Sequence, residues 1–109
     1  MRVLSRAEEI ILLAVARLDG HAYGVSIREQ VEKAIGSRWS FGVIYKTLKK
    51  MRAKGYVIRI SSEPLPERGG RTRFYYQLTP DGFGALEEIR RINLALWRGT
   101  VAWLPRGKA

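Results

Sequence analysis

With 109 residues, 46% of them hydrophobic, and a formal net charge of +10, the chain is sized for a single domain with its own core, which excludes a wholly disordered basic tail. The absence of cysteine excludes disulfides and thiolate zinc sites and fits a reducing compartment. The longest apolar run, Ile10 to Ala16, is far shorter than the roughly 20 residues that span a bilayer. The start, Met1-Arg2-Val3-Leu4-Ser5-Arg6, lacks the cleavage region of a signal peptide, so a soluble, cytoplasmic protein with no membrane partner is expected.

Ser5-Arg6-Ala7-Glu8 is a capping-box pattern. Behind it Ala7, Ile10, Ile11, Ala14, Val15 and Leu18 recur at the three- and four-residue spacing of one helix face, and Asp19-Gly20 ends the helix. A second helix starts near Tyr23 or Gly24 and runs to Ile35, with Val25, Ile27, Val31, Ala34 and Ile35 mostly inward, and Gly36 stops it. Ser40 caps a third helix with Ile44, Leu48 and Met51 on one face, ended by Gly55. The period then changes. Tyr56–Ser61 and Arg73–Leu78 alternate as half-buried strands, and Pro64, Pro66, Gly69 and Gly70 between them form a loop. Thr79-Pro80 opens a last helix, threonine as cap and proline in the first turn. It extends to about Arg98 with Phe83, Leu86, Ile89, Ile92 or Asn93, and Leu96 down one stripe. The expected architecture is mainly α with a small β-hairpin, a winged helix-turn-helix: three helices, two strands and a final helix. Residues 1–79 form the compact unit, 80–98 the last helix, and 99–109 a short basic tail.

Charge is concentrated in the middle of this layout. Between Arg38 and Arg73 ten basic residues stand against two acids, a net +8 out of the chain's +10. A cationic helix beside a cationic hairpin grips a polyanion at two neighbouring places. If Ile44, Leu48 and Met51 face the core, Val43, Lys46, Thr47 and Lys50 lie opposite and offer ammonium groups, a hydroxyl and methyl groups to a DNA groove. Gly42 lets the backbone near a phosphate, where the helix dipole attracts an anion, and Tyr45 can place its hydroxyl on a phosphate oxygen. Arg38, Ser40 and Lys49 complete the candidate face. At the hairpin tip, Arg68, Arg71 and Arg73 suit a narrow minor groove, because a guanidinium holds its water loosely.

The last helix carries more apolar surface than docking on so small a domain requires. Leu86, Ile89, Asn93, Leu96 and Trp97, supported by Ile11 and Val15 of the first helix, and by Trp103 beyond, are the candidate seam of a homodimer with two reading heads. Catalysis is not expected and no cofactor is implied. There is no phosphate-cradling glycine motif and no carboxylate cluster for a metal. The one histidine, His21, sits in a turn, where a structural hydrogen bond is its expected role. Use of the basic surface to bind an acidic protein, or RNA, stays open as an alternative to double-stranded DNA.

Several linked motifs resemble the PadR family of transcriptional regulators, over about Leu4 to Arg98. They are the turn His21-Ala22-Tyr23-Gly24, the helix segment Ser40-Phe41-Gly42-Val43-Ile44-Tyr45-Lys46-Thr47-Leu48, and Leu48-x-x-Met51-x-x-Lys54-Gly55-Tyr56-Val57. Arg73-x-Tyr75-Tyr76-Gln77-Leu78-Thr79 and Pro80-Asp81-Gly82 follow in the family's order. Val43 stands where the family usually has a small hydroxyl residue, and Ala22 where it has glycine. The resemblance implies a winged-helix DNA-binding domain, dimers assembled through the last helix together with the first, and repression of nearby genes. Some members respond to phenolic or other aromatic compounds lodged between protomers, and Trp97 lies where such a pocket would form. With one helix after the wing, the chain is similar to the short subgroup.

Overall fold

The computed structural model describes residues 3–62, 69 and 72–100. Arg68, Gly70, Arg71 and Trp103, and the tail beyond Thr100, lie outside the described residues. The elements follow the expected order: α1 (Arg6–Leu18), α2 (Gly24–Ile35), α3 (Phe41–Ala53), β1 (Val57–Ser61), β2 (Phe74–Leu78) and α4 (Pro80–Trp97). Each strand and the last helix come out one residue shorter than their sequence patterns.

Local chemistry sets most boundaries. The Glu8 N–H donates to Ser5 Oγ at 3.1 Å while the Ser5 N–H donates to Glu8 Oε1 at 2.8 Å, the reciprocal pair of a capping box. At α2 the hydroxyl of Ser26 does the equivalent work, accepting from the Tyr23 N–H at 2.9 Å and donating to the His21 carbonyl at 2.7 Å. His21 serves this turn through its backbone. At α4 the Thr79 hydroxyl accepts from the Gly82 N–H at 3.0 Å and donates to the Gly55 carbonyl at 2.6 Å, and the Thr79 N–H donates to the Tyr56 carbonyl at 3.1 Å. A Cβ at Gly82 would collide with that carbonyl, so only glycine lets the start of α4 approach the α3–β1 turn this closely. Gly55 and Thr79, 24 residues apart in the chain, thus meet at one joint.

The strands pair antiparallel from Val57↔Leu78 to Ser61↔Phe74. The free edge of β2 gains one further bond, Tyr76 N–H to the Ala22 carbonyl at 2.8 Å, which ties the α1–α2 turn to the sheet. Ala22 itself is fully buried. The hairpin enters the core only at its base: Val57, Tyr76 and Leu78 are buried, whereas Ile58, Ile60 and Phe74 are exposed. The half-buried alternation read from sequence is therefore confined to that end.

The core gathers Ile11, Leu12, Val15, Ile27, Val31, Ile44, Leu48, Met51, Val57, Leu86 and Ile89. α1 is central, touching α2, α3, β2 and α4. Its buried arc is accordingly wider than one stripe and takes in Leu12, which the periodicity omits. α2 packs mainly on α1 and α3, so its arc is narrower. Ile27 and Val31 are buried, but Val25, Ala34 and Ile35, also expected inward, are exposed. No helix among the described residues is long and apolar enough to cross a membrane.

Candidate nucleic-acid interface

α3 begins where Ser40 Oγ accepts from the Val43 N–H at 3.2 Å. Burial of Ile44, Leu48 and Met51 turns Val43, Lys46, Lys49 and Lys50 outward, all exposed. Gly42 is also exposed, and an added Cβ there would meet only Ser40 Oγ, at an ordinary 3.7 Å, so packing within the chain does not require glycine.

The candidate face predicted from spacing is not uniform. Lys46 forms no ion pair with the described residues. Lys50 Nζ lies 2.9 Å from Glu8 Oε2, a carboxylate that is nearly inaccessible, so Lys50 is already neutralised by α1. Thr47 donates its hydroxyl proton to the Val43 carbonyl at 2.9 Å, which leaves its oxygen only as an acceptor. Arg38 pairs with Glu32 through Nε at 3.1 Å.

Tyr45 sits at the junction with α2. A Cβ on Gly24 would overlap its hydroxyl, so glycine at the first position of α2 is what admits the phenol. Phe41 stacks on Tyr45 with ring centroids 6.0 Å apart, and the Arg28 guanidinium lies 3.8 Å above the centre of Phe41. These contacts fix the crossing of α2 and α3. Partial burial, reinforced by Tyr76, pushes the Tyr45 phenol up.

Between the start of α2, α3 and the hairpin opens a cleft of about 750 Å³. It is lined by Lys49 and Arg52 from α3 and by Arg59 and Arg73 from the hairpin, with Tyr23, Tyr45, Phe74 and Tyr76 among them. Among the described residues no carboxylate lines it. The Arg59 guanidinium lies 4.4 Å from the centre of Phe74, and that of Arg73 lies 4.0 Å from the centre of Tyr23. Arg73 also donates through Nη1 to Tyr75 Oη at 3.4 Å, and Tyr75 meets Tyr23 edge-on at 5.6 Å. Arg52 and Arg59 form no part of the face predicted from spacing. One signal was available: Arg59 alternates with Val57, so it shares the face of the hairpin whose base enters the core.

On α4 two stripes replace the single one predicted. Leu86 and Ile89 face inward and are 8% and 7% exposed. Phe83, Leu94 and Trp97 form an adjacent outward stripe, 53%, 54% and 66% exposed. With Leu13 and Ala16 of α1 they line an open groove of about 430 Å³, rimmed by Glu9, Glu87, Arg90 and Asn93. The Asn93 amide donates to Glu9 Oε2 at 3.5 Å. Ile11 and Val15, expected to support a seam between chains, are 0% and 2% exposed. They belong to the chain's own core because α1 is surrounded by four other elements. Leu96 is exposed but lies outside the groove. No cluster of three or more potential metal ligands occurs among the described residues.

The family described as "Transcriptional regulator PadR-like family" matches residues 12–88. Among solved structures, H. salinarum RosR shares 25% identity with a TM-score of 0.69, over 92% of this chain and 83% of its own. A PadR family transcription regulator from Clostridium difficile R20291 shares 26% identity with a TM-score of 0.63, over 84% and 95%. A PadR-like transcription factor from Bacteroides fragilis, 24% identical with a TM-score of 0.72 over 82% and 81%, has the same fold. No curated protein sequence matches significantly.

Proposed function

The chain belongs to the PadR-like family of transcriptional regulators, which are DNA-binding proteins rather than enzymes, and from that premise we propose that it is a homodimeric, operator-specific repressor. α3 enters the major groove and presents Val43, Lys46 and the hydroxyl oxygen of Thr47 to base edges. Tyr45 and the backbone at Gly42 approach phosphates. The hairpin tip, with Arg68 and Arg71 beyond the described residues, reaches the adjacent minor groove or backbone.

The observation that carries this reading is the distribution of unpaired charge. Lys46, Lys49, Arg52, Arg59 and Arg73, grouped on α3 and the hairpin, have no carboxylate partner among the described residues; Arg17, Arg28, Lys33 and Arg98 have none either but are spread over the other helices. Uncompensated cations on adjoining elements support binding to a polyanion. The outward stripe of α4 supports a second copy of the chain as partner, since apolar patches of this kind mark interfaces. An aromatic small molecule lodged beside Trp97 would act on that assembly.

The test is a mobility-shift comparison of the purified protein on duplex DNA from upstream of its own gene, on scrambled duplex and on structured RNA. Preference for the upstream duplex is expected. Equal binding to RNA, or association that survives only with an acidic protein after nuclease treatment, would replace the reading.

A further inference from the structure

The cleft between α3 and the hairpin combines two properties that surface cations seldom share. Lys49, Arg52, Arg59 and Arg73 line it with no carboxylate among its described walls, and two of the guanidinium groups lie over aromatic rings. Arg59 rests on Phe74 and Arg73 on Tyr23, with Arg73 fixed a second time by Tyr75. A guanidinium resting on a ring still offers N–H donors in a planar fork that matches two oxygens of one phosphate. Holding the side chain in place before the anion arrives reduces the rotamer freedom lost on binding.

The cations are also distributed rather than convergent. Lys49 and Arg52 stand one turn apart on α3, about 4.5 Å along its axis, and Arg59 and Arg73 come from the hairpin. Such an arrangement suits a linear polyanion better than a single small anion. The geometry points to a phosphate clamp: one strand of the duplex runs along the cleft, with Arg52 and Arg59 as phosphate ligands, and Phe74 and Tyr23 positioning Arg59 and Arg73. The clamp rests on the DNA-binding reading and adds to it the path of one strand and two ligands outside the face that spacing predicts.

The experiment uses the whole chain and a duplex enriched by the wild-type protein from a random-sequence library, with affinity followed over a salt series. In the Arg52→Gln/Arg59→Gln variant the log–log slope should become shallower by about 0.9 for each phosphate no longer neutralised, so about 1.8 per protomer. The preference for enriched over scrambled duplex should stay at the parental ratio, because binding to phosphates carries no sequence information. Phe74→Leu retains every charge and should lose affinity several-fold at the parental slope. A double variant with the parental slope overturns the clamp. If that variant has at the same time lost binding of a fluorescent nucleoside triphosphate, a small anion is the cleft's occupant instead. Wild-type affinity in Phe74→Leu removes the positioning role of the ring. A wild-type protein that enriches no duplex at all overturns the DNA-binding reading, and the clamp falls with it.

Discussion

Lys50 Nζ lies 2.9 Å from Glu8 Oε2, so an exposed ammonium on α3 is held by a carboxylate buried at the first turn of α1. Burial alone would raise the pKa of Glu8. The Ser5 N–H, then Lys50 and Lys54, outweigh it, and the net result is a carboxyl held below its ordinary value. A folded-state pKa below the unfolded one gives stability that is present above the ordinary glutamate range and is lost as pH falls through the folded value. Glu8→Gln should therefore destabilise the protein at neutral pH by about 1–2 kcal/mol. That is less than the roughly 3–5 kcal/mol of a fully buried pair, because the Lys50 head is half solvated. Urea unfolding at neutral pH and again below the carboxylate range checks this: the gap between variant and parent should close in acid.

The same pairing separates two lysines that spacing treats alike. Lys46→Ala should weaken operator binding by about 1–3 kcal/mol and relax preference at one base pair if it reads a base, or weaken all duplexes equally if it meets a phosphate. Lys50→Ala should cost less affinity than Lys46→Ala and more stability, since it removes the ammonium paired with buried Glu8. Titration of both variants on operator and scrambled duplex, with parallel unfolding curves, distinguishes the two roles. Equal reductions in affinity would show that DNA draws Lys50 away from Glu8.

Gly24 and Tyr45 form a second pair joined only by the fold. Gly24→Ala places a methyl group inside the space of the phenol ring, and overpacking of this kind costs about 1–3 kcal/mol. In a Tyr45→Ala background the same substitution should cost almost nothing, so a double-mutant cycle should return most of that energy as coupling. Additive effects would mean that Tyr45 moves aside freely.

These pairs also show which parts of the molecule could be read from sequence. The caps at Ser5, Ser40 and Thr79 join residues three apart, and their spacing announces them. Helix faces and strand alternation are nearly as local, which is why the element order and the buried Ile44, Leu48 and Met51 follow from pattern. Glu8 with Lys50, Gly24 with Tyr45, and Arg59 with Phe74 join residues that only the folded chain brings together. Periodicity could place Lys50 outward but could not reveal the carboxylate beside it. Ile11 and Phe83 fail for a related reason: an apolar residue at helical spacing is equally suited to the chain's own core or to a partner, and the number of elements around each helix decides which.

That distinction reshapes the expected dimer. The apolar α4 residues exposed to a second copy are Phe83, Leu94, Leu96 and Trp97; Phe83, Leu94 and Trp97 share a groove with Leu13 of α1. Burying a large apolar side chain contributes about 1.5–3 kcal/mol. Phe83, Leu94 and Trp97, each already a third to a half buried in the single chain, then supply roughly half that amount apiece on each of two protomers, still of the same order as the cost of association, about 4–15 kcal/mol. Leu94→Asp should place two carboxylates in the seam, where each loses its water beside its symmetry mate. It should dissociate the dimer and leave a monomer that still unfolds cooperatively, at a temperature below the dimeric parent's by the association energy lost, because Leu94 is already half exposed in the single chain. Ile11→Asp should instead unfold the protein, since that side chain is fully enclosed within one chain. Sedimentation at micromolar concentration, paired with thermal melts, reads both outcomes. DNA affinity should fall with the Leu94→Asp dimer, because a single reading head forfeits the second half-site. Wild-type protein that sediments as a 12.4 kDa species would exclude the α4 seam, and with it an effector site between protomers at Trp97.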